Sequence, residues 1–235
     1  MRQTPALSIE ELRGAAESTG LALRGGFHPE PKDGVPPLPD GDAALTVVLL
    51  GFTGGRQWPV FAASKEYADG RPNALDRWSR RVIDALGSHY GAVGRYPWGG
   101  PPWLPFQQWA RRAEPVYGSP LGILIHPDYG LWHSYRGALC FRTRLALPEP
   151  DRRPSPCDCC AAKPCLGTCP VGAVAADRFN HRACAGHVAS TAGADCVALS
   201  CRARRSCPVG ASYRYGAAQS RFHMQAFVGA QNGAS

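Results

Sequence analysis

The residues best able to do chemistry in this sequence are its cysteines. Ten cysteines fall between Cys140 and Cys207 of a 235-residue chain, and none lies outside that stretch. Thiolates bind soft metals, attack electrophiles or pair as disulfides. The N-terminal residues turn acidic within ten positions and contain no apolar run, so no secretory leader is expected and the cytoplasm is the expected location. In a reducing compartment a dense cysteine cluster points to metal rather than to a disulfide framework. Two stretches share one ending: Cys169-Pro170-Val171-Gly172 and Cys207-Pro208-Val209-Gly210.

The spacing narrows the metal chemistry. The bacterial ferredoxin run is C-x2-C-x2-C-x3-C-P, in which three close thiolates wrap one Fe4S4 cube and the fourth serves another. Here Cys157 and Cys160 form C-x2-C, Cys165 follows after four residues, and Cys165-x3-Cys169-Pro170 fits as written. The second run is looser: Cys184-x11-Cys196-x4-Cys201-x5-Cys207-Pro208. Crossed ligation therefore predicts one [4Fe-4S] cluster on Cys157, Cys160, Cys165 and Cys207. It predicts a second on Cys184, Cys196, Cys201 and Cys169. A pair of zinc sites is the competing metal reading, but zinc favours grouped C-x2-C pairs, and the later gaps here do not repeat that spacing. Cys159 competes with Cys160 by a register shift. Cys140, in the run LCFRTRL, reads as a buried core thiol.

Other chemistry finds little support. No G-x-G-x-x-G, G-x4-G-K-[ST] or G-x-S-x-G pattern occurs. The turn Gly54-Gly55 after a strand reads as a tight turn rather than a phosphate loop. A chain 44% hydrophobic and 19% charged can bury a core, which excludes a disordered protein. No apolar run is long enough to span a bilayer, so no membrane insertion is expected.

The elements that must position the cysteines divide into two unlike parts. Residues 1–140 carry 14 basic and 13 acidic side chains and all six tryptophans, whereas residues 141–235 carry 12 basic and 5 acidic. Four prolines in residues 148–156 mark a boundary. We expect an α+β architecture: a mixed α/β domain over 1–150, then a small ferredoxin-like iron–sulfur domain over 151–235 with an aromatic and basic tail. Ser8 begins a capping box and Gly20 ends that helix; residues 25–43 read as a loop and 44–52 as a buried strand. Asn73 caps a helix that buries Trp78 and ends at Gly87. Residues 106–113 form a short helix, and 122–126 and 132–144 form two strands around the turn Pro127–Gly130.

The run CDCCAAKPCLGTCPVGAV, the separate Cys184 and the Cys196/Cys201/Cys207-Pro run resemble the two-[4Fe-4S] ferredoxin module of epoxyqueuosine reductases and corrinoid-dependent reductive dehalogenases. The match covers about residues 155–212. LGILIHPDYGLWHSYRGAL, residues 121–139, resembles the stretch before that module in epoxyqueuosine reductases. There a nitroreductase-like α/β domain holds cobalamin over a cluster. The resemblance thus implies a cofactor domain upstream, with His126 and His133 as candidate cofactor-binding residues; the competing reading is histidines satisfied at strand ends. Those reductases carry an acidic proton donor upstream, and residues 95–113 here contain neither Asp nor Glu. The electron-transfer module carries over; the epoxyqueuosine reaction does not.

The expected function is electron transfer through two [4Fe-4S] clusters to a redox partner protein or a bound small-molecule cofactor. The alternative is a corrinoid- or flavin-dependent reductase with the clusters as internal relay. The formal charge of +8 falls to about +4 once two oxidised cubes of about −2 each are counted. The basic surplus then reads mainly as counter-charge for anionic cofactors, which argues against nucleic acid as a partner.

Overall fold

A computed structural model describes residues 7–232. The first residues of the stretch read as lacking a leader lie outside that range. The chain runs α1 (Ile9–Ser18), β1 (Ala22–Phe27), β2 (Thr46–Thr53), α2 (Trp58–Ala62), α3 (Lys65–Ala68), α4 (Ala74–Tyr90), β3 (Ala92–Arg95) and α5 (Phe106–Ala113). It continues through β4 (Tyr117–Gly118), β5 (Leu124–Ile125), β6 (His133–Phe141), α6 (His181–Ala189), α7 (Ala194–Leu199), α8 (Arg202–Ser206) and α9 (Ala217–Asn232). Helices and antiparallel strand pairs are mixed, so the fold is α+β. No helix among the described residues is long and apolar enough to cross a membrane.

The chain divides into two compact units, residues 1–114 with 134–152, and residues 115–133 with 153–235. Segment 115–133 therefore groups with the cysteine-bearing residues, although composition assigns it to the N-terminal part. The reason is packing: Leu121, Ile125 and Leu131 share one buried cluster with Val174, Ala203 and Cys207.

The first unit is built on a four-stranded sheet of order β1-β2-β6-β3. The β2 run TVVLLGFT is buried along almost its whole length, as a central strand must be. Strand β1 occupies part of the stretch read as loop; it pairs with β2 despite two glycines, with a register shift between Leu23 and Gly26. Gly51 lets β2 approach β6 closely, since a Cβ there would collide with the Ser134 carbonyl. Ser8 accepts a hydrogen bond from Glu11 N at 3.1 Å and starts α1. On α4, Leu75, Trp78, Val82, Ile83 and Leu86 form one buried face. Trp78 packs edge-on against Phe52 and Phe61 at 5.8 and 5.6 Å.

Two local expectations for α4 change. The helix runs past Gly87 to Tyr90 and ends at Gly91, whose φ of +67° suits a left-handed cap. Asn73 itself is left-handed and its side chain makes no capping bond, because capping needs an extended backbone at that position. The strands at 122–126 and 132–144 also shorten, and they do not pair with each other: β5 pairs with β4, and β6 with β3.

A buried charge network in this unit escaped the sequence. Arg24 has no exposed surface. It donates to both oxygens of Glu114 at 3.0 and 2.7 Å and to the Phe52 carbonyl at 2.9 Å. Tyr135 OH donates to the same carboxylate at 2.7 Å, and the guanidinium lies 4.8 Å from the Tyr135 ring centre.

The second unit has two small cores. One is the Leu121–Cys207 cluster; the other is Ala173, Cys184, Val188 and Cys196, with Met224, Phe227 and Val228 of α9 packed on it. Thiols form part of both cores.

Candidate iron–sulfur sites

All ten cysteines are free thiols. Cys140 is a buried thiol of β6, paired in register with Val93, and burial pushes it up to about 12. The eight candidate ligands fall into two groups. Burial raises Cys157, and the thiols acting on it in the same direction are Cys207, Cys165 and Cys160. Cys165 is raised by burial and then by Cys207 and Cys160. Cys207 is raised by burial, and Cys160 adds to it. In the other group, burial pushes Cys184 up to about 12, with Cys201, Cys169 and Cys196 acting in the same sense. Like charges that resist ionisation together are what a cationic metal centre would relieve, with release of protons.

Each group is assembled from both runs. Cys207 stands with the first run, fifty positions after Cys157, and Cys169 stands with the second. Short helices make the second group: Asn180 caps α6 by accepting from Ala183 N, which sets Cys184 in the helix's first turn. Cys196 lies on α7, and Cys201 stands immediately before α8. A small open cavity beside this group is bordered by Cys169, Cys184, Cys196 and Cys201 together with His187 and Met224. Among the described residues no set of three or more His, Cys, Asp or Glu closes on a single metal ion. Four thiols around one open cavity are a donor set that fits an iron–sulfur cube, which takes one thiolate at each of four irons.

Backbone amides reach several of these sulfurs. Ala173 N donates to Cys169 Sγ at 3.3 Å. Arg202 N–H acts on Cys196, and Val209 N–H on Cys207. Such bonds favour the thiolate. Cys159 is exposed and points its thiol at the Pro156 carbonyl, 3.5 Å away.

The three arginines of the second run have separate tasks. Arg202 and Arg205 converge on Asp195, at 2.8 and 2.9 Å, and Arg202 above all holds that carboxyl at about 2. Arg204 donates to the Leu131 carbonyl and lies against the rings of Trp132 and Tyr215, 4.4 and 4.6 Å from their centres. The tail packs its aromatics inward: Tyr213 meets Tyr129, and Tyr215 meets Trp132 and His223.

His126 is buried, stacks on Tyr129 at 4.4 Å, and its Nδ1 accepts from Asp128 N at 3.0 Å. His133 Nε2 donates to the Leu124 carbonyl at 3.0 Å. Each histidine thus commits one ring nitrogen to nearby backbone. The turn carrying His126 abuts the second Cys-Pro-Val-Gly: a Cβ at Gly130 would strike the Val209 carbonyl, and one at Gly210 the Tyr129 backbone. Both glycines are left-handed, so the close approach and the turn demand the same residue.

No protein-family profile matches the chain, and no curated protein sequence matches it. Solved structures do. An epoxyqueuosine reductase, determined with an epoxyqueuosine-modified tRNA-Tyr stem loop, superposes with a TM-score of 0.51 at 16% identity over 90% of this chain and 68% of that one. The fold resembles that of epoxyqueuosine reductase. A selenomethionine-labelled epoxyqueuosine reductase gives a TM-score of 0.50 at 16% identity, over 88% of this chain and 67% of that one.

Proposed function

We propose that this chain is an iron–sulfur redox protein that carries electrons through two [4Fe-4S] clusters. Cys157, Cys160, Cys165 and Cys207 hold one, and Cys184, Cys196, Cys201 and Cys169 hold the other. The observation that carries this reading is the gathering of the eight thiols into two groups, each drawing one member from the opposite run. When bound, the cubes supply one-electron transfer at low potential. The chain's residues then set the conditions. Backbone N–H groups at Ala173, Arg202 and Val209 donate to the sulfurs and favour extra negative charge there. Met224, Phe227 and Val228 keep water from one side of the second group. Ligation supplies stability that the two small cores lack. Anaerobic reconstitution should give about eight irons and as many sulfides per chain; near four irons, or bound zinc, would overturn the two-cube reading.

A second reading is favoured by the fold likeness to a reductase. In it residues 1–150 are a nitroreductase-like cofactor domain, His126 and His133 contact a corrinoid or flavin, and the clusters reduce it. Corrin or flavin absorption co-purifying with the iron–sulfur band, and reductive turnover, would establish it over simple electron transfer. Because the relative was solved with a tRNA stem loop, nucleic acid returns as a partner to test, against the charge argument from sequence. Binding of an RNA stem loop that weakens steeply with salt would support it.

A further inference from the structure

His187 borders the cavity of the second thiol group. It stands three positions after Cys184 on α6 and one before Val188, so Cys184, His187 and Val188 share one face of the helix. All three line the cavity, with Cys169, Cys196 and Cys201. Among the described residues that border it, only His187 carries a buried side-chain nitrogen without a hydrogen-bond partner, its Nε2. A buried polar atom left unpaired carries an uncompensated desolvation penalty. Four thiolates and the sulfides of a cube are acceptors, and the backbone already donates to Cys169 and Cys196.

We propose that His187 Nε2–H donates a hydrogen bond to a sulfur of the cluster held by Cys184, Cys196, Cys201 and Cys169, and raises that cluster's potential above its value without the bond. The proposal rests on the iron–sulfur reading of the site. A donor to sulfur stabilises the more negative reduced state more than the oxidised one. The bond leaves with the side chain, so the effect belongs to one cluster and spares the other.

The test is a redox titration of the reconstituted full chain, followed by electron paramagnetic resonance, in wild type, H187F, H187A and H187Q. Iron and sulfide are counted in each. H187F and H187A should keep about eight irons, and one cluster should become about tenfold harder to reduce, which is about 59 mV for a one-electron couple. The second cluster should not move. H187Q keeps a donor and should recover part of the shift. Unchanged potentials with full iron would overturn the proposal. So would selective loss of about four irons in H187A, since His187 would then be a ligand. Wild-type protein that takes up no iron and sulfide overturns the underlying reading before any variant is made.

Discussion

Crossed ligation can be tested by pairing substitutions. Cys157 and Cys207 are fifty positions apart, and Cys157 and Cys169 only twelve. If each run served its own cube, Cys157 would share a cluster with Cys169. In the structure Cys157 stands with Cys207, and Cys169 with Cys184. The double variant C157S/C207S should therefore lose one cube and keep about four irons, little worse than either single variant. C157S/C169S should lose both cubes and fall toward zero. Uncrossed ligation predicts the reverse assignment, so iron and sulfide quantitation decides between them without reference to rate or partner. Stability supplies a second measure. By chain entropy, a tie across fifty residues stabilises by about 4 kcal/mol and one across twelve by about 3 kcal/mol. Crossing thus strengthens the tie on Cys157 by about 1 kcal/mol, and C207S, which cuts that tie, should lose about 4 kcal/mol in holo-protein unfolding. If C157S/C207S is empty and C157S/C169S retains four irons, the crossed arrangement is wrong.

Other outcomes follow from single contacts. C159S should keep full iron, because the Cys159 thiol is exposed and faces the Pro156 carbonyl; a loss of four irons would move the ligand register to Cys159. E114A strands the buried Arg24 charge and should cost about 3–5 kcal/mol in denaturant unfolding; a loss under 1 kcal/mol would show that water reaches the guanidinium. Glu66 is buried and the Arg81 guanidinium holds its carboxyl at about 2, below its ordinary 4.5. A depressed carboxyl stabilises the fold above its unfolded value, and that contribution disappears as pH falls from about 4.5 to about 2. Arg81 is half exposed, so solvent reduces the effect to about 1–2 kcal/mol. In E66Q that part of the acid dependence should vanish; an unchanged acid-unfolding curve would refute the pairing.

Much of the scaffold was legible where local rules act alone. The unbroken apolar run of β2 specifies a buried strand, and the spacing of Leu75, Trp78, Val82 and Leu86 specifies a helix face. Ser8 caps α1 because its partner lies three residues away. Errors came where a distant neighbour overrides the local signal. Strand β1 contains Gly25 and Gly26, which read as loop until β2 supplies their pairing. Gly87 reads as a helix stop, but it lies buried inside α4 where a Cβ would meet the Ala92 carbonyl.

The same division runs through the candidate site. Sequence by itself determined the residue types, the two runs and their shared Cys-Pro-Val-Gly endings, because covalent order limits which thiols a short loop can bring together. Only the tertiary structure decided that 115–133 packs with the cysteine segment. It alone paired Arg24 with Glu114 and left a histidine nitrogen buried and unpaired at the edge of the cavity. These arrangements depend on contacts between residues far apart in the chain. Burial and charge at such contacts are properties of the packed molecule, and no local spacing encodes them.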